Sequence, residues 1–125
     1  MILDTNAVSA ILTGEDSLRA IIERAPALFL PVICLGEYRY GISGSSRREE
    51  ITSSFETLLR SVSLVSIDAD IADEYARLRR ELRDAGTPIP ENDVWIAAVT
   101  RHLQLPLVSR DVHFDRVRGV RRIGW

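Results

Sequence analysis

The sequence contains no lysine, only one cysteine and no long apolar run. With Cys34 alone, no disulfide can form within the chain, which is typical of proteins from a reducing compartment. No apolar stretch approaches the roughly 18 residues of a membrane helix, and Asp4 interrupts the apolar start before a signal peptide could form. We therefore expect a cytoplasmic protein that makes no use of a membrane.

Net charge does not single out a nucleic-acid-binding protein. The 16 basic residues are all arginine and are balanced by 18 acidic ones, which gives a formal net charge of −2. Arginine makes forked contacts to phosphate or carboxylate better than lysine does. With 125 residues, of which 46% are hydrophobic, the chain is predicted to fold as a single domain, residues 1–125, around one core.

Short apolar stretches alternate with amphipathic ones along the chain. Strands are predicted at 1–4, 27–31, 64–67 and 105–109, with a last one in "VRRIGW" (120–125). Six helices are predicted. The first three cover 6–12, the segment from a cap at Asp16 through Arg24, and 32–43. The other three run from Ser45 or Ser46 to Val62, from a cap at Asp68 to Gly86, and from a cap at Asn92 to Leu103. The alternation indicates an α/β protein with a parallel sheet covered on both faces.

Four acidic residues stand where such a sheet would place a functional site. Asp4 follows the first predicted strand and Asp111 follows a later one, and sites form at the carboxyl ends of parallel strands. Glu37 lies on a mostly apolar helix face, where an unpaired charge is costly. Asp93 stands at the start of the most apolar helix in the chain.

Each acid also has an ordinary structural explanation. Asp4 and Asp111 are residue types that are common in turns. Glu37 could pair with Arg39 or another arginine or simply be exposed to solvent, and Asp93 suits the positive end of a helix dipole. Taken together, however, clustered carboxylates would repel one another and would need a cation. Oxygen ligands favour Mg²⁺ or Mn²⁺, whereas the cysteine and the histidines lack zinc-ligand spacing.

Four motifs, in order, resemble those of the PIN-domain ribonucleases, and most closely those of the VapC toxins of bacterial toxin–antitoxin pairs. They are "LDTN" (3–6), "GEYRYG" (36–41), "PIPENDVWIAA" (88–98) and "LVSRDVHF" (107–114). The resemblance spans essentially the whole chain. It implies a three-layer α/β/α PIN-like fold with a short-stranded, mainly parallel sheet, and the activity of a Mg²⁺- or Mn²⁺-dependent endoribonuclease.

The same resemblance implies roles for individual residues and partners. The catalytic and metal-binding quartet would be Asp4, Glu37, Asp93 and Asp111, with Thr5, Asn6 and Ser109 as supporting polar residues. An RNA substrate, a homodimer and an antitoxin that blocks the site are also implied. Two positions depart from the family pattern. Ser109 stands where threonine is frequent, and His113 stands where a further acid is frequent, so the fourth acid is Asp111 or Asp115, with Asp111 preferred.

Substrate and partner contacts are predicted from proximity in sequence. Arg39, Arg110 and Arg116 are candidates for binding RNA phosphates, although a solvated or ion-paired arginine is an equally good interpretation of each. Tyr38, Tyr40 and the helix that begins near Ser46 are candidate protein contacts. His113 is interpreted as structural or as a supporting residue beside the acids.

Two other functions are compatible with carboxylates at strand ends. A receiver-like signalling domain also binds Mg²⁺ in a parallel sheet, but it needs a lysine at a strand end, and this chain has none. A degenerate PIN domain that only binds its partner is the other alternative, and the intact acidic quartet argues against it.

Overall fold

The computed structural model describes all residues, 1–125, and is built on five short parallel strands. The strands are β1 (Ile2–Leu3), β2 (Phe29–Pro31), β3 (Ser63–Val65), β4 (Leu107–Val108) and β5 (Arg122–Ile123). Their order across the sheet is β3-β2-β1-β4-β5, and all neighbouring strands run parallel. The predicted α/β class is confirmed. The receiver-like alternative is wrong, because that fold requires the order 2-1-3-4-5.

Six α-helices surround the sheet: α1 (Thr5–Thr13), α2 (Asp16–Ile22), α3 (Val32–Ser43), α4 (Arg48–Leu59), α5 (Ala69–Asp84) and α6 (Glu91–Leu103). A short 3-10 helix, η1, covers Val112–Arg116. Gly14 ends α1 with a φ of 75°, and the Asp68 side chain caps α5 by accepting from the Ile71 N–H at 2.9 Å, as the sequence predicted. No helix combines the length and apolar character needed to span a membrane.

The predicted boundaries of three helices are wrong. Asp16 is the first residue of α2 and not its cap, and α2 ends at Ile22, before Arg24. Helix α4 begins at Arg48, because a turn precedes it in which the Ser45 hydroxyl accepts the Arg47 N–H at 3.1 Å. Helix α6 begins at Glu91, directly after the extended Pro90, so Asn92 lies inside the helix and its side chain is free for another role.

The central strand, β1, lies in the core of the protein and ends at the predicted site. Ile2 and Leu3 of β1 are fully buried, and so are Leu107 and Val108 of β4 beside them. Helix α3 packs against both α1 and α6, and α6 also packs against α5. Because β1 and β4 end side by side, the residues that follow them, Asp4 and Ser109, meet at the carboxyl edge of the sheet.

Candidate active site

Asp4 is buried, with 4% of its surface exposed, and is held by hydrogen bonds on both carboxylate oxygens. It is the N-cap of α1, where Oδ1 accepts the Thr5 N–H at 2.7 Å. Its Oδ2 accepts the Asn6 amide and the Ser109 hydroxyl, each at 2.6 Å. Burial raises the pKa of Asp4, helped by the nearby charge of Glu37, while these hydrogen bonds act in the opposite direction. The carboxylate is therefore fixed in position.

Ser109 connects two of the predicted acids. Its fully buried hydroxyl donates to Asp4 and accepts the backbone N–H of Asp111 at 2.9 Å and the Asn6 amide at 3.2 Å. One donor and two acceptor positions of the hydroxyl are thereby used. The Asn6 carbonyl oxygen in turn accepts the Arg110 N–H at 3.1 Å, which ties the loop after β4 to α1.

Glu37 reaches the same place from α3 and is bound by neutral donors. The Thr5 hydroxyl donates to its Oε2 at 2.5 Å, and the Asn92 amide donates to its Oε1 at 2.7 Å. The alternative in which Glu37 pairs with Arg39 is wrong, because Arg39 binds Glu56 at 3.3 Å. Sequence reasoning missed the role of Asn92, which it assigned to the cap of α6. The signal available was its position next to Asp93 in "PEND".

Asp93 and Asp111 form the second half of the cluster. Potential ligand atoms of Asp93, Asp111 and His113 all lie within 4.8 Å of one another, and the same holds for Asp4, Cys34 and Glu37. The pKa of Asp93 is raised from 3.8 to about 6, first by burial and then by the negative charges of Asp4, Asp111 and Glu37, with His113 opposing. The structure thus brings all four predicted acids together.

The two halves of the cluster differ in accessibility. Asp4 and Cys34 are buried beneath the site, whereas Glu37, Asp93 and Asp111 are each partly exposed. Burial raises the pKa of the Cys34 thiol, so the sulfur is a neutral, packed group rather than an anionic ligand. None of the four carboxylates forms an ion pair with an arginine. The site is therefore a pocket of negative charge that opens to solvent.

Asp115 does not join the cluster. Its carboxylate accepts two hydrogen bonds of 2.8 Å from the Arg122 guanidinium, on β5. The Arg122 side chain also donates to the carbonyl of Ser109 at 3.0 Å, so it supports the loop that carries Asp111. Of the two residues considered for the fourth acid, Asp111 lies beside Asp93, whereas Asp115 is paired with Arg122.

The three candidate arginines lie in different surroundings. Arg39 pairs with Glu56, and Arg110 pairs with Glu15 while its guanidinium lies 4.7 Å from the centre of the Trp125 ring. Arg116 forms no ion pair and lines a cavity of about 720 Å³ with Arg101 and Arg118. No arginine side chain is held among the four carboxylates.

Comparisons with known proteins identify the family of the chain. The sequence matches the PIN domain family over residues 1–120. It is 30% identical to the ribonuclease VapC5 of Mycobacterium tuberculosis over 94% of this chain and 87% of the relative, and 29% identical to the ribonuclease VapC2 of Rickettsia felis over 98% and 96%. Two solved structures are also similar. VapBC2 from Rickettsia felis, bound to a promoter DNA fragment, superposes with a TM-score of 0.92 at 26% identity over 99% of this chain and 97% of that one. VapBC-5 from Mycobacterium tuberculosis superposes with a TM-score of 0.78 at 28% identity over the same shares.

Proposed function

The chain belongs to the PIN-domain family, among the VapC-type toxin ribonucleases, and from this premise we propose that it hydrolyses RNA phosphodiesters in a Mg²⁺- or Mn²⁺-dependent manner. The proposed catalytic and metal-binding residues are Asp4, Glu37, Asp93 and Asp111, supported by Thr5, Asn6 and Ser109. The observation that carries the proposal is the convergence of four carboxylates, none of them paired with an arginine, at the carboxyl edge of the sheet.

The donor set fits a hard divalent cation. A carboxylate offers about four lone-pair sites, and Asp4 uses three of them on Thr5, Asn6 and Ser109, so its Oδ1 still has room for a ligand. Asp93 and Asp111 are partly exposed and accessible from solvent. Oxygen ligands of this kind suit Mg²⁺ and Mn²⁺. Burial and, after it, the negative charges of Asp4, Asp111 and Glu37 raise the pKa of Asp93, and a cation among these carboxylates would offset the repulsion.

Each residue has a defined task in this account. A divalent ion held by the four carboxylates would supply positive charge for the phosphodiester and would lower the pKa of a water ligand. Asp4 is immobilised by its three hydrogen bonds, and Glu37 by those from Thr5 and Asn92. Asp93 and Asp111 would hold the cation as carboxylates, and Asp93 would bind it less readily below its raised pKa of about 6, where it carries a proton. Without a cation the four carboxylates would repel the phosphate backbone.

RNA contacts are proposed at the three candidate arginines, Arg39, Arg110 and Arg116. Arg39 and Arg110 are engaged in exposed ion pairs with Glu56 and Glu15. Such pairs contribute only about 0–1 kcal/mol, so either arginine can exchange its carboxylate for a phosphate at little cost. Arg116 has no ion pair to break. Forked guanidinium contacts would position the RNA backbone without reading its sequence.

An antitoxin and a second copy of the chain are the proposed protein partners. The solved relatives from Rickettsia felis and Mycobacterium tuberculosis are VapBC toxin–antitoxin assemblies. Tyr40, which is 82% exposed, is the best placed of the predicted contact residues, whereas Tyr38 packs on Phe55 with ring centres 4.6 Å apart. Light scattering on the chain alone, and co-purification with the product of the neighbouring small reading frame, test both partners. A strict monomer that does not bind this product would contradict them.

The activity is tested by incubating the purified chain with a panel of structured RNAs in EDTA, Mg²⁺ or Mn²⁺. The variant Asp93→Asn should lower cleavage about 100-fold or more, since removing even a residue that supports a metal ligand costs 10–100-fold. Asp70→Asn is the matched control, because Asp70 is also a first-turn aspartate, on α5, and is exposed. Full antitoxin binding with no cleavage of any RNA would instead support the degenerate binding module.

A further inference from the structure

His113 lies beside the four carboxylates and could offer a metal ion a ring nitrogen, whereas the carboxylates offer oxygen. It lies in η1, and its backbone N–H donates to Asp111 Oδ1 at 3.0 Å, which places the residue next to the acids. The ring nitrogen Nε2 lies 3.4 Å from the same oxygen. Potential ligand atoms of His113, Asp111 and Asp93 are all within 4.8 Å of one another.

Neither ring nitrogen of His113 makes a hydrogen bond. The separation of 3.4 Å between Nε2 and Asp111 Oδ1 is longer than the usual 2.9–3.0 Å of an N–H···O bond. The other nitrogen, Nδ1, is buried and has no partner. A polar atom left unpaired in this way is uncommon in native proteins and points to a water molecule at Nδ1, which leaves Nε2, the nitrogen 3.4 Å from Asp111, available to an ion.

The spacing suits a shared cation. Two ligands at right angles on an octahedral ion with bonds of about 2.1 Å lie about 3 Å apart, close to the observed distance of 3.4 Å between Nε2 and Asp111 Oδ1. Imidazole is a poor ligand for Mg²⁺, which takes oxygen, but a good one for first-row transition ions. A nitrogen at this position therefore changes which ion the site selects.

We propose that His113 is a nitrogen ligand of the catalytic metal, beside Asp93 and Asp111, and that it makes the site select Mn²⁺ over Mg²⁺ more strongly than carboxylates alone would. The proposal rests on the proposed metal-dependent function and adds a ligand and an ion preference to it. The competing role for His113 is that of a protonated countercharge to the acids, which would leave its ring without a bond to the metal.

Pulsed EPR of Mn²⁺ bound to the full chain distinguishes these roles, because a directly bonded nitrogen modulates the spin echo. The chain has only two histidines, His102 and His113, and His102 is exposed at the end of α6. We expect nitrogen modulation in the parent chain and in His102→Gln, and none in His113→Gln. Replacing natural histidine by ¹⁵N-histidine should change the signal of the parent chain, which keeps the test valid even if His113→Gln does not fold.

Metal titrations give a second readout. His113→Asp converts the site to oxygen ligands only, and the ratio of the Mg²⁺ to the Mn²⁺ dissociation constant should fall about tenfold or more. Normal Mn²⁺ binding and RNA cleavage without nitrogen modulation in the parent, or an unchanged ratio in His113→Asp, would overturn the His113 assignment alone. Failure of the parent chain to bind Mn²⁺ at all would overturn the proposed function as well.

Discussion

Ser109 donates a hydrogen bond of 2.6 Å to the Asp4 carboxylate, although 105 residues separate the two in the chain. The contact exists because β1 and β4 are parallel neighbours with Leu3 opposite Val108, so the next residue of each strand emerges at the same edge. A buried carboxylate and a buried hydroxyl thereby satisfy each other. The position of the Asp4 carboxylate at this edge of the sheet depends on this pair.

The first prediction concerns that pair. Ser109→Ala removes a donor from Asp4 and an acceptor from the Asp111 N–H, so the free energy of unfolding in EDTA should fall by about 1–3 kcal/mol. Urea denaturation measures it, with the exposed Ser53→Ala as control. Mn²⁺ affinity should fall together with stability. A loss no greater than that of the control would mean that Ser109 does not hold Asp4.

The second prediction concerns the hydrogen bond between Asn92 and Glu37, which was not predicted from the sequence. Its amide donates to Glu37 at 2.7 Å, so Asn92→Ala should leave Glu37 held by Thr5 alone and lower metal affinity or cleavage about 10–100-fold. Thr52→Ala, at an exposed position of α4, is the control. Calorimetric titration with Mn²⁺ measures the change. Unaltered affinity and cleavage would show that Asn92 does not support Glu37 and is only a residue of α6.

Asp111 and Asp115 should respond differently to the same change. Asp111→Asn should abolish measurable metal-induced thermal stabilisation, because it removes a charge from the cluster. Asp115→Asn loosens an exposed pair with Arg122, so we expect metal binding to persist and stability to fall by about 1 kcal/mol or less. Melting temperatures with and without Mn²⁺ compare the two variants. The reverse pattern would make Asp115 the fourth acid.

Asp93 predicts a pH dependence of stability in the metal-free protein. Its pKa is raised from 3.8 to about 6 in the folded state, so the folded state binds this proton more tightly than the unfolded state does. Stability should therefore decrease as pH rises from about 4, near the pKa of an unfolded-state aspartate, and level off above the folded-state pKa.

Asp93→Asn removes the loss of stability that ionisation of Asp93 causes. In EDTA the variant should be more stable than the parent at pH 7, and the difference should shrink as the pH falls through 6 and vanish near the unfolded-state pKa of about 4. Urea denaturation at a series of pH values measures the difference, with Asp70→Asn expected to show no such trend. A difference that stays constant across this range would show that Asp93 is not destabilised by its neighbours.

The strand ends were predictable, because a short apolar stretch followed by a polar residue marks the carboxyl edge of a parallel sheet. That reasoning located Asp4 and Asp111, and the motif resemblance added Ser109. The start of α6 was not predicted correctly. Asn92 is the better cap by residue type, but the extended Pro90 ends the preceding loop and lets the helix begin at Glu91.

Side-chain pairs between elements that are distant in the chain could not be predicted from the sequence. Asn92 meets Glu37 only because α3 and α6 pack together, and Asp115 meets Arg122 only because β5 returns beside β4. Residue type at either position gives no sign of these partners. The pairing of Arg39 with Glu56, in place of Glu37, likewise depends on how α3 packs against α4.

The most direct test of the account is RNA cleavage by the chain before and after removal of divalent ions, measured beside Glu37→Gln and the matched control Glu49→Gln, an exposed first-turn residue of α4. The account predicts that EDTA abolishes cleavage by the parent, that Mn²⁺ or Mg²⁺ restores it, and that Glu49→Gln behaves like the parent while Glu37→Gln does not recover. Cleavage that persists in EDTA, or full activity of Glu37→Gln with restored metal, would contradict it.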